Sequence, residues 1–171
     1  TLLAVTALRE VQKMGGIGVF IDSESAVSHS FLEAIGVNLN TLVYAQLDTI
    51  EDIFQTVENI INKTREKNKD IPIAIVVDSI MGASTKIEME SDWDKDGFAT
   101  TKAIVMGKAM RKITNLIARQ KILLICVNQQ RQKMGVSFGD QTSTAGGSAL
   151  GFHASVRLQT KTVGKIKAVV N

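Results

Sequence analysis

The sequence predicts an α/β protein built on a mostly parallel, doubly wound sheet that finishes with antiparallel strands at its C-terminal end. Three observations lead there. Apolar runs of strand length, IGVFID at 17–22, IAIVVD at 73–78 and ILLICV at 122–127, alternate with longer segments whose apolar residues recur at helical spacing. The run at 73–78 is continuously apolar up to its final acid, as expected of a parallel strand buried on both faces. The composition is 44% hydrophobic, with one proline and one cysteine, which suits buried sheets and excludes a disulfide-stapled scaffold.

The elements follow in order. Leu2, Leu3, Val5, Leu8, Val11 and Met14 keep helical spacing, and Gly15-Gly16 stops that helix before the strand at 17–22. Ser30 to Ile35 reads as a short helix closed by Gly36, and Leu42 to Ala45 as a strand. Asp48 and Glu51 have capping-box spacing and open a helix to about Lys67, with Ile50, Ile53, Phe54, Val57, Ile60 and Ile61 along one face. After the strand at 73–78 and a long excursion, Met106, Ala109, Met110, Ile113, Leu116 and Ile117 form the buried face of the next helix, which leads into 122–127. His153 to Thr160 and Gly164 to Val170 read as the antiparallel strands. No repeat or low-complexity segment interrupts the 171 residues, so residues 1–171 are expected to form a single domain.

Net charge of +3 and a pI near 9.0 are too mild to argue for nucleic acid by themselves. Distribution says more. Acids gather between Glu88 and Asp96, whereas Lys121, Arg131, Lys133, Arg157, Lys161, Lys165 and Lys167 make the final third basic, a pattern also shown by solvated faces. The apolar run at 122–127 is far too short to cross a bilayer, and the amino terminus lacks the flanks of a signal peptide, so a soluble protein without membrane contact is expected. Cys126 reads as a small core residue and the default compartment is the cytoplasm.

Ligands of open parallel sheets bind beyond the carboxyl ends of the strands. Three strands end in candidates: IGVFID before Ser23 and Glu24, IAIVVD in Asp78 and Ser79, and ILLICV before Asn128 and Gln129. An acid closing an apolar strand suits the Walker-B role beside magnesium and a nucleoside triphosphate. Alone, Asp78 fits a cap equally well and Glu24 a surface acid; their coincidence with two amides is the informative feature. No glycine-rich phosphate loop of the form G-x-x-x-x-G-K-[ST] occurs. Thr1 to Leu8 looks like the helix that follows such a loop, which places Thr1 at or just after its end.

The segment Gln130 to Gly147 is longer than most connections in compact domains, which are functional or simply surface loops. Arg131 and Lys133 supply positive charge, Met134 and Phe138 can wedge or stack, and Gly146 and Gly147 allow close backbone approach. Asp92, Asp94 and Asp96 do not complete a calcium loop, and neither His29 nor His153 has metal-ligand spacing.

FIDSESA, LDTIED, IAIVVDS, GKAMRKI, VNQQRQKMGVSFG, TAGGSAL and FHASVRL, in that order, resemble the RecA family of recombinases, bacterial or bacteriophage, over nearly the whole chain. The resemblance implies a P-loop NTPase core that binds ATP and Mg2+. Glu24 falls at the general base that activates the hydrolytic water, Asp78 at the magnesium-associated carboxylate, and Gln129 at the glutamine that senses the terminal phosphate. Thr1 and Ser79 fall beside the nucleotide, and Phe31 near the adenine-stacking aromatic. Arg131, Lys133, Met134, Phe138, Gly146, Gly147 and Ser148 fall in or just after the second DNA loop. The first DNA loop would be roughly Ser91 to Thr101, longer than usual, with Trp93 and Phe98 as stacking groups, Lys102 as a phosphate contact and Arg111 on the helix behind it.

Implied partners are single-stranded and double-stranded DNA and further copies of the protein in a helical filament, in the cytoplasm of a bacterium or of a phage-infected host. Two alternatives stay open: a RecA-fold helicase or RadA-like repair ATPase, and a nucleotide-independent DNA-binding or regulatory domain.

Overall fold

A computed structural model describes residues 1–92, 95, 97–118, 120–132 and 142–164. In chain order these form α1 (Leu2–Lys13), β1 (Ile17–Asp22), α2 (His29–Ile35), β2 (Leu42–Gln46), α3 (Ile50–Lys67), β3 (Ile73–Asp78), α4 (Lys86–Met89), α5 (Phe98–Ile117), β4 (Ile122–Cys126), β5 (Gln130–Gln132), β6 (Thr142–Thr144) and α6 (Ala149–His153). The four long strands make one parallel sheet in the order β2-β1-β3-β4.

Side-chain alternation divides the core between the two faces of this sheet. Val19 and Ile21 of β1 and Ile73, Ile75 and Val77 of β3 meet Ile50, Ile53, Phe54, Val57 and Ile61 of α3 and Met106, Met110 and Ile113 of α5. Phe20, Ala74 and Val76 point the other way, against Ala4, Val5 and Leu8 of α1 and Leu32 of α2. Both faces of β3 are thus covered, which is why its six residues are all buried and why its sequence shows no polar alternation.

Most predicted elements stand within a residue or two of their expected bounds, and four differ. The cap of α3 is Thr49, whose hydroxyl accepts from Asp52 N at 3.2 Å. Asp48 cannot serve because its carbonyl holds Ser84 N at 2.8 Å and Thr49 bridges Ser84 in strand fashion, so the extended backbone runs one residue further. A capping box does exist, at Thr85 and Glu88, where it opens the unexpected α4. The supposed first loop is shortened by α5, which already begins at Phe98.

The antiparallel pairing lies elsewhere too. Gln130–Gln132 pairs with Thr142–Thr144 in a separate two-stranded sheet, so the long loop is anchored at both ends by a ladder. His153 closes α6, and 154–164 is not a strand. Gln159 donates to the Gln130 side chain at 2.8 Å and the Arg157 guanidinium lies over Gly151, which hold the segment beside β5 and α6 rather than in a ladder. Val156 and Leu158 stay exposed in consequence. The rest of the predicted final strand, 165–170, lies outside the described residues.

Candidate functional site at the strand ends

Register brings the acids together. Asp22 of β1 stands directly opposite Asp78 of β3, at the carboxyl ends of the two central strands. Both are buried, at 1% and 8% exposure, as the crevice of a parallel sheet requires of groups that close it.

Asp22 shapes the turn that carries Glu24. Its carboxylate accepts from Glu24 N at 3.0 Å, Val27 N at 3.2 Å and the Tyr44 hydroxyl at 3.0 Å. A buried carboxylate with three donors is well compensated. Burial first, and then the hydrogen bond to Asp22, push the Tyr44 phenol above its ordinary range. Within this turn Ser25 takes φ 53°, a left-handed conformation uncommon for serine and often found at functional sites. Asp22 was not among the residues expected from the sequence. The signal was present: IGVFID ends on an acid as IAIVVD does, and equal strand lengths put the two side by side.

Asp78 accepts from the Thr1 hydroxyl at 2.5 Å. The next residue is tied to the neighbouring turn through both main-chain groups: Ser23 Oγ donates to Ser79 O at 2.6 Å and accepts from Ser79 N at 3.0 Å. The Ser79 hydroxyl donates to Glu24 Oε1 and accepts from Gly82 N at 3.2 Å. Thr1, Glu24, Asp78 and Ser79, four of the predicted residues, therefore form one hydrogen-bonded group with Ser23 and Asp22.

The third strand end contributes differently. Val127 O accepts from Ile80 N at 2.9 Å, fixing β4 to the turn after β3. Asn128 donates to Ala145 O at 3.0 Å and so ties the return of the long loop to the strand end, while its Oδ1 accepts from Gln129 N at 3.0 Å. Gln129 itself is exposed. Phe31 is 36% exposed on α2, open to a ligand from solvent.

Of the predicted DNA contacts, Arg131 is exposed on β5 and Arg111 is exposed on α5. Gly146 and Gly147 take φ 81° and 71° and turn the chain against Met106 and Ala103 of α5, with Ser148 exposed just before α6. Lys102 is turned inward: its ammonium donates to Met81 O at 3.1 Å and to Ala83 O. Burial chiefly lowers its pKa, Glu88 opposes and Arg131 reinforces. Trp93, Lys133, Met134 and Phe138 lie outside the described residues.

Among the described residues no group of three or more His, Cys, Asp or Glu side chains converges on a point. One or two carboxylates completed by water and substrate phosphates is the mode that suits Mg2+, and Asp78 with the Thr1 hydroxyl supplies hard oxygen groups of that kind.

A parallel sheet wrapped by helices on both faces, with buried acids at the carboxyl ends of its central strands, defines a doubly wound α/β protein, a class in which ligands bind beyond those ends. Comparison narrows the class. The RecA N-terminal domain family matches residues 1–171. Protein RecA of Zymomonas mobilis is 39% identical over 167 residues, which is 98% of this chain and 45% of that protein. Protein RecA of Symbiobacterium thermophilum is 36% identical over 168 residues, 98% of the chain and 46% of the relative, and that of Leptospira biflexa 37% over 167 residues, 98% and 41%. The chain belongs to the RecA family. It spans a little under half the length of these curated relatives.

Proposed function

We propose that the chain is the ATP-binding core of a DNA strand-exchange recombinase that assembles on single-stranded DNA for recombination and repair. The observation that carries this reading is the group at the strand ends. A carboxylate capable of orienting water, Glu24, is linked through Ser79 to the turn after Asp78, in a protein of the RecA family.

Glu24 is the general base, and its exposed position lets it meet a water that approaches from solvent. Its backbone is fixed by Asp22, so the carboxylate swings only through its own side-chain torsions. Asp78 and Thr1 are the groups that would hold Mg2+, which when bound neutralises phosphate charge. Gln129 lies three residues past the end of β4 and immediately precedes β5, so a ligand that engages its side chain bears on the first strand of the long loop. Through that connection ATP raises affinity for DNA and hydrolysis lowers it. Arg131 and Lys133 contact phosphates, Met134 or Phe138 inserts between bases, and binding is tolerant of sequence and sensitive to salt. Filament assembly, action on double-stranded DNA and a cytoplasmic location in a bacterium or phage-infected cell belong to the same reading. No helix among the described residues is long and apolar enough to cross a membrane.

The test is Glu24→Gln in the full-length protein. Hydrolysis should fall by about 100-fold or more, the loss typical of a removed general base, while ATP-dependent binding to single-stranded DNA, followed by fluorescence anisotropy, is kept. Turnover at the parent rate in that variant contradicts the assigned role.

A further inference from the structure

The turn 79–83 joins three parts of the molecule that the sequence keeps apart. On one side it carries Glu24, through the Ser79 hydroxyl. On another it is pinned to β4 by Ile80 N on Val127 O, at 2.9 Å. On the third it receives Lys102 from α5, whose ammonium bridges the carbonyls of Met81 and Ala83. Between these two carbonyls sits Gly82. A Cβ there would overlap Glu24 Cγ and lie 3.0 Å from Ser23 Oγ and 3.1 Å from Glu24 Oε1, so the turn itself is the surface against which the glutamate rests. Any shift of the 81–83 backbone is therefore a shift of the wall behind Glu24.

The other groups that fix this wall are neutral: the Ser23 and Ser79 hydroxyls and the Ile80 N–H. Lys102 is the exception: a flexible, charged side chain placed partly inside the protein with two neutral carbonyls as its partners and no carboxylate within ion-pair distance among the described residues. Such a placement is costly unless the bonds it makes are wanted. It also connects the wall to α5, which begins at Phe98 directly after the residues 91–97 that precede it. Arg131, the first basic residue of the long loop, acts on the same ammonium and reinforces the effect of burial on it.

We propose that Lys102 is a positioning residue for hydrolysis: by holding the carbonyls of Met81 and Ala83 it fixes the turn 79–83 and, through Gly82 and Ser79, the carboxylate of Glu24. The inference rests on the reading of Glu24 as the hydrolytic base. It assigns Lys102 a part in placing that base in the present state, in contrast to the phosphate contact expected from sequence.

Lys102→Met and Lys102→Arg in the full-length protein separate the two roles. Turnover is measured against ATP concentration at saturating oligo(dT), and affinity for oligo(dT) is measured separately with a non-hydrolysable ATP analogue. Lys102→Met should lower kcat by about tenfold or more, the scale on which small misplacements of a catalytic group act, with KM for ATP and affinity for oligo(dT) each within about twofold of the parent. Arginine keeps the charge and the donors and should recover most of the turnover. Weakened oligo(dT) binding with kcat intact at saturation overturns the proposal in favour of a phosphate contact. Unchanged values in both assays also overturn it, and a Lys102→Met protein that does not fold overturns it in favour of a purely structural strut. Failure of the underlying function is visible separately, as absence of turnover in the parent or full turnover in Glu24→Gln.

Discussion

At the scale of single residues, the strand-end group is organised by a carboxylate that does not itself face the crevice opening. Asp22 gathers two backbone N–H groups and a phenol, and it is nearly fully buried. Asp22→Asn keeps the shape but turns one acceptor into a donor against those donors. It should cost about 1–3 kcal/mol, as for a buried polar group left unsatisfied, read by urea denaturation, and should also slow hydrolysis by loosening Glu24. Cys126 tests the packing of β4. Burial pushes its thiol up to about 12 from 9.0, so the native thiol should react with iodoacetamide at pH 8 far more slowly than the unfolded one. The linkage has a definite sign. The unfolded thiol ionises first, so this group's contribution to stability is full below pH 9.0 and is lost as the pH rises from there toward about 12. Asp22, like Asp78, closes an apolar run, as a candidate at such a strand end should; what one strand's sequence does not carry is the register that sets the two acids opposite each other.

At the scale of elements, the buried parallel strands were legible and the helix cap was not, for a physical reason. A parallel strand covered on both faces must be apolar throughout, and IAIVVD shows that directly. A helix start depends on which of two neighbouring polar residues the rest of the fold leaves free. Asp48 and Thr49 both have the chemistry of a cap; the contact with Ser84 removes Asp48 and leaves Thr49. Thr49→Ala should therefore destabilise the protein by about 1 kcal/mol, the usual value of an N-cap, while Asp48→Ala changes stability by less, both measured by chemical denaturation. The segment 153–160 was misread as a strand because its alternation fits one, and strand pairing is a property of neighbours that a single segment does not carry. Likewise the β5–β6 ladder is invisible in QRQ and TST, whose residues have no apolar pattern.

At the scale of the whole molecule, the doubly wound and mostly parallel sheet follows from alternating periodicities alone, while the separation of the antiparallel pair into its own sheet does not. The family follows from ordered motifs, each moderate by itself, spread over the chain. What periodicity did not convey is the way three strand ends are joined: Ser23 to Ser79, Ile80 to Val127, Asn128 to Ala145. These bonds join the acids to the long loop, and under the proposed function DNA held by the loop controls hydrolysis at the acids through them. The most direct test is ATP hydrolysis by the full-length protein with and without oligo(dT), at low and at high salt. Turnover should rise by about tenfold or more with DNA, as when a bound ligand completes a catalytic group, and lose this stimulation at high salt as phosphate contacts are screened. Turnover indifferent to oligo(dT) at low salt, or stimulation that high salt leaves intact, would contradict the proposed control of hydrolysis by DNA.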